Sequence, residues 1–78
     1  MQVRARLYGT LRRFSLPDTP GRWTGELPQG ATIGDLLEHL GIEPREVAAA
    51  SIGGEIKPLD TAVPADAEVV LVTPIGGG

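Results

Sequence analysis

Thr73-Pro74-Ile75-Gly76-Gly77-Gly78 closes the sequence, directly after the apolar run Val69-Val70-Leu71-Val72. The chemistry open to such an ending is that of its carboxylate. Glycine has no Cβ, so Gly76, Gly77 and Gly78 fit a slot too narrow for side chains and deliver the terminal carboxylate to another protein's active site. The competing reading is a ragged end, because chain termini are often poorly ordered. The remaining residues have to separate the two.

No other group offers an obvious reaction centre. The chain has no cysteine, hence no disulfide framework, no thiolate metal site and no side-chain sulfur nucleophile. Ser15 and Ser51 have no plausible base. His39 is the only histidine; on the polar side of a helix beside Glu38 it reads as a solvated surface residue. One histidine with scattered carboxylates does not make a metal site. Gly53-Gly54 lacks the spacing of a phosphate loop. Among 78 residues there are seven basic and ten acidic ones, a net charge of −3. Nucleic acid is therefore a poor partner, since phosphate neutralisation needs clustered lysine and arginine. No apolar run approaches the about 18 residues of a membrane span, and no signal-peptide core opens the chain. A cytoplasmic location is the default expectation.

The elements that must position the ending follow from periodicity. Met1 to Tyr8 alternates, with Val3, Ala5 and Leu7 on one side and Gln2, Arg4, Arg6 and Tyr8 on the other, as in a strand with one face on the core. Leu11 to Leu16 is mixed, and Pro17 to Gly21 is a loop. Arg22 to Leu27 forms a second strand, weakened by Gly25. Ile33, Leu36, Leu37 and Leu40 make one helical stripe behind Thr32, a good N-cap, with Asp35 approximating a capping box. Gly41 is the expected left-handed stop. Pro44 to Glu46 is a turn or short helical segment. Val47 to Ile52 reads as a strand, although its alanines leave helix open. Gly53-Gly54 is a hairpin turn. Glu55 to Leu59 is a short edge strand, and Glu68 to Pro74 the last strand. One helix between an early hairpin and later strands packs on one face of a mixed sheet. With the first and last strands parallel at its centre, this is an α+β, ubiquitin-like β-grasp. A single domain spans 1–74, with a flexible glycine tail at 75–78.

Four stretches then resemble the MoaD/ThiS family of sulfur-carrier proteins: Arg6-Leu7-Tyr8-Gly9-Thr10-Leu11-Arg12, Leu27 to Leu37 into the main helix, Ser51-Ile52-Gly53-Gly54-Glu55, and Glu68 to Gly78. Together they cover essentially the whole chain. Gly53 stands where the family has asparagine, and Ala65-Asp66-Ala67 where it has Asp-Gly-Asp. The start and the length favour the MoaD type, the small subunit of molybdopterin synthase, over the ThiS type.

The resemblance implies a carrier rather than an enzyme. It binds no cofactor. A MoaB/ThiF-like adenylating enzyme uses ATP to activate the Gly78 carboxylate, and sulfur then displaces AMP to leave a thiocarboxylate. Gly76, Gly77 and Gly78 thread the activating site. A MoaE-like catalytic subunit receives the sulfur for the molybdenum or tungsten cofactor. Strand parity turns Val69 and Leu71 inward and Val70 and Val72 outward, so Tyr8, Val70, Val72, Pro74 and Ile75 form the expected docking patch beside the tail. Alternatives are another ThiS-like or MoaD-like carrier, a protein modifier that joins Gly78 to lysines, and a β-grasp interaction module with an inert tail.

Overall fold

The N-terminal alternation becomes strand β1, Gln2–Leu7, in the computed structural model, which describes residues 1–74. Val3, Ala5 and Leu7 are buried and Gln2 and Arg4 exposed, the expected parity. β2, Arg22–Glu26, runs antiparallel to β1, and β5, Glu68–Val72, runs parallel to it. β3, Ala49–Ile52, pairs antiparallel with β5 and with the two-residue edge strand β4, Glu55–Ile56. The sheet order is β2-β1-β5-β3-β4, with the first and last strands adjacent at its centre. Helix α1, Ile33–Leu40, covers one face, and the result is the ubiquitin-like β-grasp.

The core is the meeting of the α1 stripe with the inward side chains of the central strands. Ile33, Leu36 and Leu37 are fully or almost fully buried with Val3, Ala5, Leu7, Val69 and Leu71, while Leu40 packs at the margin. Burial of such side chains contributes roughly 1.5–3 kcal/mol each.

Capping of α1 is more complete than its sequence implies. Asp35 N–H donates to Thr32 Oγ1 at 3.1 Å, and Thr32 N–H donates to Asp35 Oδ2 at 2.9 Å, so aspartate closes a full capping box. The strap between β4 and β5 satisfies two further N–H groups of the first turn: Ile33 N–H donates to Thr61 O at 3.0 Å and Gly34 N–H to Leu59 O at 2.7 Å. At the other end Gly41 takes φ 83°, and Ile42 N–H reaches back to Leu37 O at 2.9 Å, with Ile42 buried as a hydrophobic stop.

Several local expectations change. The three later strands are shorter than expected: β3 begins at Ala49 because Val47 caps a 3-10 turn over Pro44–Glu46, β4 stops at Ile56, and β5 stops at Val72. Residues Gly9–Phe14 form a 3-10 helix, which ends β1 before Tyr8 and buries Leu11. Gly25 does not merely weaken β2. A Cβ there would lie 2.4 Å from the Trp23 indole, which lies over the glycine on the inward face. Asp66 occupies the middle of the Ala65-Asp66-Ala67 turn with φ 63°. A short polar side chain tolerates that left-handed backbone, and the Arg4 guanidinium donates to Asp66 O at 2.7 Å. The glycine-glycine turn is as expected, with φ 61° and 84° joining β3 to β4. Residues 75–78, the expected tail, lie outside the described residues.

Leu37→Ala is expected to cost about 2–5 kcal/mol, because a cavity opens where helix and sheet meet. Denaturant titration of the variant checks this. An unchanged midpoint places Leu37 outside the core.

Candidate functional site

The site is the point where the central strand leaves the sheet. The β1–β5 ladder continues one residue past β1, because Tyr8 N–H donates to Leu71 O at 3.1 Å. On the other flank Ala48 N–H donates to Val72 O at 2.8 Å, so the end of β5 is held from both sides. The chain then passes Gly9. That residue has φ 60°, and a Cβ on it would lie 2.1 Å from Thr73 Oγ1. Only glycine lets the turn after β1 close against the residue leaving β5. Pro74, exposed, is the last described residue.

The expected docking residues are placed as follows. Tyr8 is 46% exposed in extended conformation, as the N-cap of the 3-10 helix rather than as a strand residue. Val70 and Val72 are half-buried on the sheet face opposite α1. Val70 is in register with Arg6 and Ser51, and Val72 with Ala49. They form a narrow valine column with polar and small neighbours. Ile75 and the glycines lie outside the described residues. His39 is exposed, as expected, and its ring meets Trp23 edge-on with centroids 5.5 Å apart. Among the described residues no three His, Asp or Glu side chains converge as metal ligands, and no helix is long and apolar enough to cross a membrane.

Two features escaped the sequence reading. Ile56 is 76% exposed and pairs with Ser51, which puts it in the row that contains Val70. Arg22 of β2 stands directly opposite Arg6 of β1. Parity alone turns Arg6 outward; only the strand register reveals what faces it.

Charge around the exit is unevenly compensated. The Arg13 guanidinium lies 4.3 Å from the Phe14 ring centroid and pairs with Glu46. Glu46 Oε2 also accepts Glu43 N–H at 3.0 Å. The Arg13 hydrogen bond, followed by that backbone donor, holds the Glu46 carboxyl below its ordinary 4.5. This pair ties the 3-10 helix after β1 to the segment before β3.

The ThiS family model matches residues 6–78, and the chain belongs to that family of ubiquitin-like sulfur carriers, which are not enzymes. Among the crystal structures similar to it are two from the same organism. One is SAMP1 from Haloferax volcanii, 22% identical, with TM-score 0.75 over 100% of both chains. The other is H. volcanii small archaeal modifier protein 1, 18% identical, with TM-score 0.74 over 95% of this chain and 98% of that one. At that identity the likeness establishes the shared β-grasp fold. No curated protein matches the chain.

Gly9→Ala is expected to cost about 1–3 kcal/mol through backbone strain, with the Thr73 clash added. In a Thr73→Ala background the penalty shrinks, giving a coupling of about 0.5–3 kcal/mol. Strictly additive midpoints in the double-mutant cycle rule out the contact.

Acid titration tests the Glu46 pair. A lowered folded pKa means its contribution is complete above 4.5 and fades as pH falls through the folded value. Glu46→Gln therefore lowers the denaturation midpoint near neutral pH, and the gap from wild type closes in acid. A gap that persists well below pH 4.5 assigns the effect to packing.

Proposed function

We propose that this chain is a sulfur carrier of the MoaD type, with Gly78 as the reacting residue. The observation that carries the reading is positional. The central strand β5 runs out at the surface between Tyr8 and Ala48, and Ile75-Gly76-Gly77-Gly78 begins three positions after Val72 in the sequence. A rigid strand sets the origin of a glycine arm, and the arm supplies reach and thinness.

The chemistry has two steps. The Gly78 carboxylate attacks the α-phosphorus of ATP in a ThiF-like activating enzyme, and pyrophosphate leaves. A reduced sulfur nucleophile then attacks the acyl carbon, AMP leaves, and a thiocarboxylate remains on Gly78. The adenylate hydrolyses readily, so the site must exclude water; unbranched Gly76 and Gly77 allow that closure. The carrier needs no bound cofactor, because the ATP belongs to the partner. A cysteine-free chain places all the sulfur chemistry on the terminus. Tyr8, Val70, Val72, Pro74 and Ile75 dock the partner around the exit. The thiocarboxylate then passes its sulfur to a molybdopterin precursor held by a larger, MoaE-like subunit. The start of the chain, Arg6 to Arg12, supports the MoaD type within the ThiS family.

A second reading is a protein modifier whose Gly78 forms an isopeptide bond with lysine. The name of one of the similar structures, a small archaeal modifier protein, favours it. Intact mass separates the readings after incubation with the activating enzyme, ATP and a sulfur source. One oxygen-to-sulfur exchange marks a carrier, and lysine adducts of higher mass mark a modifier.

Deleting Gly77 and Gly78 is expected to abolish ATP–pyrophosphate exchange with the activating enzyme and leave the melting curve unchanged. The loss withdraws the carboxylate by up to about 7 Å. A displacement of about 1 Å already costs a hundredfold in rate. Gly77→Val keeps the length but adds a branched side chain, and it too blocks exchange. Wild-type exchange by the truncated chain overturns the carrier reading.

A further inference from the structure

Beside the exit of β5 lies an open cleft of about 250 Å³ lined by Arg6, Tyr8, Arg12, Gly21 and Arg22. Its charge is anomalous. Arg6 and Arg22 are direct cross-strand neighbours, a like-charge juxtaposition that destabilises a sheet. Arg12 reaches the same cleft from the 3-10 helix; its Nε lies 3.7 Å from where a Cβ on Gly21 would stand. The other three arginines have partners: Arg4 the Asp66 carbonyl, Arg13 Glu46, and Arg45 Glu43 at 2.7 Å. Arg6, Arg12 and Arg22 make no ion pair and no side-chain hydrogen bond among the described residues. A chain with ten acidic residues and a net charge of −3 thus leaves three guanidinium groups together with no carboxylate paired to them among the described residues. A local rule broken without internal compensation marks a functional surface.

We propose that this cleft docks an acidic polypeptide segment, one presenting carboxylate side chains, on the protein partner that takes the tail. Guanidinium groups offer planar forks that match carboxylates two bonds at a time. The cleft is roomy enough for one or two carboxylate side chains. The exposed Tyr8 ring supplies an apolar wall of the kind that anchors interfaces. Nucleic acid fits poorly. Its phosphates need basic groups along a path, and here the basic island sits on a net acidic domain. Engagement of the cleft neutralises the Arg6–Arg22 repulsion, so docking and relief of strain are coupled. The charges also steer encounter, which makes association salt-dependent. That the partner is the activating enzyme rests on the carrier reading; the preference for carboxylates does not.

The test titrates isotope-labelled protein with hexaglutamate at low salt, followed by amide and arginine Nε–Hε resonances. Hexalysine, inorganic phosphate and a short single-stranded oligonucleotide are run in parallel. Saturable shifts with hexaglutamate, confined to residues 6–12 and 20–22, are expected. Arg22→Thr and Arg12→Gln each weaken binding by at least about tenfold, the loss of one charged hydrogen-bond donor. Arg22→Thr also raises the denaturant midpoint, because the like-charge pair is gone; a merely structural arginine would lower it. Arg45→Thr makes the same change in net charge away from the cleft and binds like wild type. The proposal is overturned if Arg45→Thr weakens binding equally, if Arg22→Thr binds unchanged, or if no saturable shift occurs. It is equally overturned if phosphate or the oligonucleotide binds the cleft as tightly as hexaglutamate. In ATP–pyrophosphate exchange, Arg22→Thr raises KM, flattens its salt dependence and leaves kcat unchanged. Loss of exchange by the tail truncation does not touch the peptide result, so the two readings fail separately.

Discussion

The parallel pairing of β1 with β5 is the constraint on which the rest of the structure depends. It joins the first and last strands of the chain, Arg4 with Glu68 through Leu7 with Leu71, at the centre of the sheet. Parallel neighbours cannot be linked by a tight turn, so the intervening chain has to cross over. α1 makes that crossing and lays Ile33, Leu36 and Leu37 on the inward side chains of both strands. The same pairing sets where the chain leaves the sheet. That exit is held still, because β5 is a central strand paired on both sides.

The fold then meets its polar obligations locally. The N–H groups that begin α1 would be orphaned at the edge of the core. Thr32 and Asp35 exchange hydrogen bonds there, and the strap before β5 offers the carbonyls of Leu59 and Thr61. This explains how an eight-residue helix, too short to persist by propensity, keeps its place. It also anchors a strap that has almost no regular structure. Gly25 shows another economy: by yielding its side-chain volume to the Trp23 indole it lets one large ring close the β2 end of the core.

The face away from α1 is divided. A narrow column, Val70 and Val72, runs down β5 toward the exit. Exposed Ile56 lies on one flank, and on the other lie Tyr8 and three arginines that have no ion pair among the described residues. In an interface, apolar area supplies adhesion and charge supplies orientation and rate, and this face carries both. The Arg13–Glu46 pair joins the two 3-10 segments, Gly9–Phe14 and Pro44–Glu46.

Periodicity and end signals in the sequence were enough for the alternating β1, the stripe and stop of α1, the glycine turn after Ile52 and the inward parity of Val69 and Leu71. These are set by neighbours a few residues apart, and a one-dimensional pattern records them. Other features came only with the tertiary structure. The 3-10 helix after Leu7 depends on Leu11 finding the core. A side chain at position 9 would meet Thr73, sixty-four positions away in the chain. Arg6 and Arg22 look like ordinary surface charges until the β1–β2 register sets them face to face. Short-range spacing specifies elements, whereas contacts between distant residues, and the charges left without partners, exist only once the strands are paired.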